Sequence, residues 1–441
     1  MYIIKMVVKN FFLTIALASL CFAQNEPYAL GADISWVQQR ENERVRYYHN
    51  GQAMDMLDIL KDNGFNYIRL RLFVDPRATD PAVQNDASGW NPYPYSAAGY
   101  CGLDSTVKYA KRVKDKGFKF LLDFHYSDTW ADPGKQYKPM SWRSLNSAQL
   151  IEKVRAYTKE SVQKFVDAGA RPDMVQVGNE VVAGMIHPDG QNNSTGFARL
   201  VNAGINGVKD VDQDIKIMMH TISERNPNGW LTTLKNNLNG VEANSASKID
   251  VLGLSYYPRW HGDLDSLGRI LTAVSGTHNI KIAVVEYADF HREVNDLVWN
   301  LPSDKRFGTF AWEPEEFEGD NSKPLFDWRS GANSGRYSND RLLLYPQMAK
   351  DYGLTGSSSS TPSSSSSAPS SSSATPSSSS EASSSSSEAT PIISCPQSLV
   401  PSPKEIRYYN LKGKPLGTAK PSNPGVYIEK NGKNVKKIVV R

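Results

Sequence analysis

Cysteine is nearly absent: 441 residues carry three, at Cys21, Cys101 and Cys395. That number supports no disulfide framework, and the spacing fits no cysteine-ligated metal. An excess of charge is lacking too, since 50 Lys and Arg against 46 Asp and Glu leave a formal net charge of +4. No basic stripe interleaves with aromatics, so nucleic acid is not an expected partner. No glycine-rich phosphate loop follows the first apolar run and no Gly-x-Ser-x-Gly elbow occurs, which argues against a dinucleotide fold and a serine hydrolase. The apolar run from Phe11 to Leu20 is too short to span a bilayer.

That run has another meaning. Lys5 and Lys9 precede it, and Cys21-Phe22-Ala23 follows. A basic start, a short apolar core and small residues describe a secretory signal peptide, residues 1–23, cut after Ala23. A lipid anchor on Cys21 is the rival reading, and the bulk of Leu20 speaks against it. The mature chain is therefore expected to be secreted or held at the cell surface, with no membrane span left after cleavage.

Serine dominates residues 356–391, interrupted by Thr-Pro, Ala-Pro and Glu-Ala. Such a stretch buries nothing and cannot offset the entropy of folding, so it reads as a disordered linker. It separates a body of residues 25–355 from a tail of residues 392–441. The body carries apolar, β-like runs at 29–34, 67–72, 119–124, 174–177, 216–219, 251–255, 282–285 and 307–310. Helical periodicity fills most intervals, for example 53–62, 103–116, 150–168 and 197–210, and Gly64, Gly117 and Gly169 punctuate helix ends. This alternation predicts an α/β fold, a (β/α)8 TIM barrel, rather than an open sheet.

In such a barrel, chemistry sits where strands end. Polar and aromatic residues gather there: Asp33, Arg69 and Arg71, Asp123 with His125 and Asp128, Asn179-Glu180, His220, Tyr256 with Trp260 and His261, Glu286, and Trp312-Glu313. Glu180 and Glu286 end strands four and seven, which face each other across an eight-stranded ring. Paired carboxyl groups flanking a bond are what glycoside hydrolysis needs, one as acid and the other as nucleophile or base. A rim salt bridge is the bland reading for either one alone. Arg69 is expected to pair with a carboxylate and to keep the nucleophile ionised, below an ordinary glutamate, while Glu180 titrates above one. Asp123, His125 and Asp128 lack metal-ligand spacing, so neither a metal nor any cofactor is expected. Trp90, Trp130, Trp142, Trp260 and Trp312 lie in loops or at strand ends, where ring faces suit sugars or simply pack loops.

With these residues in view, the body resembles glycoside hydrolase family 53, the arabinogalactan endo-β-1,4-galactanases. The likeness rests on GADIS at 31–35, LDILKDNGFNYIRLRLFVDP at 57–76, LLDFHYSDTWADPGKQYKP at 121–139, PDMVQVGNE at 172–180, GLSYYPRWHG at 253–262 and WEP at 312–314. It implies Glu180 as acid/base, Glu286 as nucleophile in a retaining mechanism, and galactan as the polysaccharide partner. Sugar contacts are implied or expected from Arg69, His125, Asp128, Trp130, Asp132, Lys135, Asn179, Tyr256, Trp260 and Trp312. Many bacterial members carry a long calcium-binding loop with an Asp-x-His-x-Asn segment after the nucleophile. Here one short helix leads from Glu286 to Phe307, so that site is not expected and the cleft should be more open at that end. A β-mannanase or cellulase of the same clan, or a non-catalytic glycan-binding barrel, remains the alternative.

The tail resembles the sorting domain of type nine secretion, through residues 408–414, Asn423 to Ile428 and the Asn431-Gly432 hairpin signal. That resemblance implies the secretion machinery as a partner. A small β-rich surface-attachment or sugar-binding module is the other reading.

Overall fold

The computed structural model describes residues 26–84, 93–316 and 323–354, together with the backbone of 406–409, 415–417, 425–431 and 434–440. The expected signal peptide, Trp90, the serine-rich linker, Cys21 and Cys395 lie outside the described residues. The chain divides into two units, residues 1–360 and 361–441.

In the first unit eight parallel strands close into a barrel. They are β1 (Ala29–Asp33), β2 (Tyr67–Leu72), β3 (Lys119–Phe124), β4 (Met174–Val177), β5 (Lys216–Ile222), β6 (Val251–Tyr256), β7 (Lys281–Tyr287) and β8 (Arg306–Trp312), with β8 returning to β1. Among the described residues, eight helices of seven residues or more surround them: α1 (Met56–Asp62), α2 (Leu103–Asp115), α3 (Ser147–Asp167), α4 (Thr195–Lys209), α5 (Pro227–Val241), α6 (Leu264–Thr277), α7 (His291–Trp299) and α8 (Leu344–Asp351). The predicted TIM barrel is the observed fold, strand for strand.

Local chemistry accounts for the helix boundaries. Asn146 and Gln149 form a reciprocal capping box at the start of α3, and Ser194, Asn226 and Asp263 cap α4, α5 and α6. Gly64, Gly117 and Gly169 adopt φ of 88°, 74° and 71° just past α1, α2 and α3, a left-handed turn that costs a side-chain-bearing residue energy. One boundary differs from expectation. Residues 53 and 54 belong not to a helix but to a strand, Gln52–Met54, and Asp55 caps α1 by accepting the Leu57 N–H at 2.8 Å. That strand pairs with Tyr47–His49, which in turn pairs with Gly335–Ser338 and, through it, Phe326–Arg329. Periodicity does not reveal this small sheet, because its halves are brought together from opposite ends of the barrel sequence.

The barrel interior is layered. Ala29, Tyr67, Leu121, Met174, Met218, Val251, Ala283, Val285, Phe307 and Phe310 make an apolar plug. Alternate residues further along the same strands, among them Asp33, Arg69, Asp123, Gln176, His220 and Ser255, form a buried polar layer above it. The opposite strand faces pack against the helices in a larger apolar cluster.

Two strands break the alternation. On β7 the pairing runs Leu254 to Val284 and then Ser255 to Glu286, which leaves Val285 as an extra residue. On β8 it runs Ile282 to Arg306 and then Ala283 to Gly308, which leaves Phe307 extra. Each bulge shifts the phase by one residue. Val285 and Glu286 therefore both face inward, as do Phe307 and Phe310.

The second unit is a four-stranded antiparallel sheet of Ile406–Tyr409, Pro415–Gly417, Gly425–Asn431 and Asn434–Val440. The last two strands pair up to Asn431 with Asn434, flanking the expected hairpin turn; the turn residues themselves lie outside the described residues.

The plug leaves no room at Gly31, where a Cβ would stand 2.4 Å from the Phe310 ring. Gly31→Ala is expected to destabilise the barrel by about 1–3 kcal/mol through overpacking. The urea midpoint should fall with an unchanged slope.

Candidate active site

The polar layer is organised by one guanidinium. Arg69 is 1% exposed, and its five N–H groups find five different acceptors. Nη1 donates to Asp33 Oδ2 at 3.0 Å and to Glu286 Oε1 at 2.9 Å. Nη2 donates to Asp123 Oδ2 at 2.9 Å and to Asn179 Oδ1 at 2.8 Å, and Nε to Gln176 Oε1 at 3.2 Å. With every donor engaged, Arg69 has none left for a sugar hydroxyl. The expectation of a direct substrate contact there is corrected to a structural hold on Glu286.

Glu286 is gripped from its other side too: the Tyr257 hydroxyl donates to Oε2 at 3.1 Å. Tyr256, the tyrosine expected to touch substrate, is fully buried in the packing between barrel and helices. The period of a strand explains the correction: Ser255 faces the interior, so Tyr257 does as well and Tyr256 faces outward.

Glu180 follows β4 with φ 46° and ψ 46°, a left-handed conformation uncommon for a residue with a side chain. Gly178, at φ 87°, begins the turn that ends there. Beneath it His220 places Nδ1 2.9 Å from Asn179 Oδ1 and Nε2 2.9 Å from Ser255 Oγ. Burial, followed by the Arg69 charge, pushes the His220 pKa far down, so the imidazole is neutral. Asn179 is oriented from both ends of its amide, since Nδ2 donates to the Ala131 carbonyl at 2.8 Å. Gln136, not singled out from sequence, donates to the Asn179 carbonyl at 2.9 Å and ties the loop after β3 to the turn carrying Glu180.

Burial and the nearby Glu286 raise the Glu180 carboxyl well above the ordinary range, as expected of a general acid. Glu286 departs from expectation: it is raised as well. Burial is the largest cause, and although Arg69 pulls downward, Asp123 and Asp33 share the same guanidinium and push upward. One positive charge among three carboxylates leaves the layer net negative.

The remaining expected residues take varied places. His125 accepts the Ala131 N–H on Nδ1 at 3.0 Å, which leaves its Nε2–H for Asp123 Oδ2 at 3.1 Å. Both oxygens of Asp128 are taken by backbone, Oδ1 by the Asp75 N–H at 3.0 Å and Oδ2 by the Met140 N–H at 2.8 Å. Asp128 therefore ties loops together rather than presenting a free carboxylate. Asp132 and Lys135 face each other across a tight turn, with a 3.6 Å ion pair. Trp312 meets Tyr257 edge-on at 6.2 Å and Trp130 at 6.2 Å, while Trp260, 49% exposed, stands 5.6 Å from Tyr257. Carboxyl pair below, partly exposed rings above: the mouth fits a ring-shaped, hydroxyl-rich ligand.

Comparison with known proteins agrees with this geometry. The family model for glycosyl hydrolase family 53 matches residues 29–297. The chain belongs to that family. An endo-β-1,4-galactanase of Bacillus subtilis is 35% identical over 270 residues, which cover 59% of this chain and 57% of that protein. An arabinogalactan endo-β-1,4-galactanase of Cellvibrio japonicus is 30% identical over 299 residues, 64% of this chain and 72% of the relative. Among solved structures, the family 53 catalytic domain of Ignisphaera aggregans superposes with a TM-score of 0.60 at 30% identity, covering 72% of this chain and 95% of that one.

Two outcomes follow for the buried layer. Arg69→Lys offers three donors where five are used, so it should destabilise the fold by about 3–5 kcal/mol and lower kcat by roughly 100-fold or more through a misplaced Glu286. Calorimetry and steady-state kinetics on the same preparation check both. Tyr257→Phe removes a hydrogen bond to the charged form of Glu286, which raises its pKa. The acid limb of kcat/KM against pH should therefore move up, by about one pH unit, with the alkaline limb unmoved.

Proposed function

We propose that this chain is an exported endo-hydrolase of β-1,4-galactosidic bonds in galactan and arabinogalactan, acting with retention by double displacement. The observation that carries it is the Glu286 carboxylate held by Arg69 and Tyr257 on a family 53 barrel, with the raised carboxyl of Glu180 at the end of β4. Galactan as the substrate is supported by the two galactanase relatives.

In this reading Glu286 attacks the anomeric carbon while Glu180 gives its proton to the departing oxygen. A glycosyl–Glu286 ester forms. Water then attacks the same carbon, Glu180 takes its proton, and the sugar leaves with its original configuration. The shared Arg69 charge stabilises the carboxylate of Glu286 before attack and again when the ester breaks. Asp123 and Asp33 stop that stabilisation from becoming so strong that the nucleophile is dull.

Export rests on residues 1–23 read as a signal peptide. Among the described residues no helix is long and apolar enough to cross a membrane. The antiparallel sheet of the second unit supports a small β-rich sorting or attachment domain at 392–441, joined by the linker at 356–391.

Purified chain should release oligosaccharides of several lengths from linear β-1,4-galactan at early times, and nothing from mannan or cellulose. Turnover of mannan or cellulose alone would move the assignment to another glycanase of the clan; no turnover of any of the three would favour a binding protein. Proton NMR of the nascent reducing end should show the β-anomer first. Glu286→Ala should abolish turnover, and its rate with wild-type fold retained is the deciding measurement.

A further inference from the structure

Arg71 stands two residues beyond Arg69 on β2 and is as deeply buried at 1% exposure, yet the mechanism above does not use it. Its guanidinium lies 4.4 Å from the ring centroid of Trp130 and 5.4 Å from that of Trp36. Its Nη2 pairs with Glu313 at 2.5 Å and reaches the Tyr95 hydroxyl at 3.3 Å. Nε and Nη1 have no hydrogen-bond partner among the described residues, and Asp33 stands off at 3.7 Å. A buried guanidinium that leaves donors unmatched while two indoles crowd it is held there for its flat cationic face.

The rings it touches belong to a row. From Tyr257, which holds Glu286, the centroids step 6.2 Å to Trp312, 6.2 Å to Trp130 and 6.4 Å to Trp36. The three tryptophans are each partly exposed. Arg71 reaches Trp130 and Trp36 through their rings, and Trp312 through Glu313, the next residue in the chain. A second tie runs alongside: Arg40 lies 5.0 Å from the Trp36 centroid and pairs with Glu316 at 2.8 Å, again joining the first tryptophan to the chain beyond β8.

The geometry points to Arg71 as a positioning residue for sugar binding, which sets the aromatic row Trp312–Trp130–Trp36 so that a polysaccharide chain is held in line with Glu286. This rests on the galactanase reading and deepens it. Arg69 orients the reacting carboxylate, and Arg71 orients the rings that carry the sugars beyond the cleaved bond. Burial keeps the partner Glu313 raised to about 8, so its pairing with Arg71 is a costly one that the ring contacts help to sustain.

The full chain is assayed on linear galactan as wild type, as Arg71→Met, and as the double variant Arg71→Met/Glu313→Gln, which leaves no unpaired buried charge if the single variant does not fold. A folded variant should raise KM by about 5- to 30-fold while kcat stays within about threefold, because binding is lost in ground and transition states alike. Its tryptophan emission should shift to the red, and addition of galactan should perturb that emission less than in wild type. An unchanged KM, or a loss confined to kcat, in a variant with wild-type circular dichroism would overturn the inference. A wild-type chain inactive on galactan would instead overturn the galactanase reading, so the two failures are told apart by the first assay.

Discussion

Everything at the barrel mouth depends on the desolvated guanidinium of Arg69. Taking such a charge out of water is expensive, and the expense is met only if every donor finds a partner in good geometry. Here the five partners come from β1, β3, β7 and the end of β4, so satisfying the guanidinium also sets where four chain segments stop relative to one another. The constraint runs in both directions. Removing one carboxylate would leave a charge uncompensated, and removing the arginine would leave three carboxylates to repel each other in a dry interior. A lysine, with a point charge and three donors, could not hold the same set.

The same arrangement explains why the two glutamates are both raised rather than split to either side of the ordinary value. A lone arginine beside Glu286 would depress it. Burial of Glu286, helped by the charges of Asp123 and Asp33 on the same arginine, outweighs that pull. Glu180 then feels the negative layer without a cation of its own in contact, and it is pushed further. The acid and the nucleophile are separated by how much cation each one touches, not by opposite shifts.

Much of this was legible in the residue order, and the failures have a common cause. Eight apolar runs with helical spacers declare a barrel, and strand ends declare which residues meet at its mouth. What residue order does not carry is strand phase. Strict alternation through Ala283 and Val285 would send Glu286 outward toward the helices; only the extra residue at Val285 turns it in. Tyr256 was expected at the site and Tyr257 was not, for want of the same phase, which Ser255 facing His220 would have supplied. The strand at Gln52–Met54 escaped because the sheet that holds its hairpin with Tyr47–His49 is completed by strands nearly the whole barrel away in sequence. Gln136 and Arg71 act through other side chains, and no local pattern marks such roles.

Phase also links the two arginines. Arg69 and Arg71 alternate with Leu70 and Leu72, so one strand sends two guanidinium groups into the barrel at successive heights while two leucines pack against the helices. The lower one meets only oxygen atoms, the upper one mostly ring carbon. That difference follows depth: near the apolar plug carboxylates balance the charge and amide oxygens satisfy the remaining donors, whereas at the rim indole faces lie against it. A single two-residue repeat on β2 thus grades the barrel from a site that stabilises charge on a reacting atom to a surface that carries an uncharged, hydroxylated chain. The bulge at Phe307 completes the gradation from the other side of β1, since it brings Phe310 down into the plug and leaves Trp312 at the level where the rings begin.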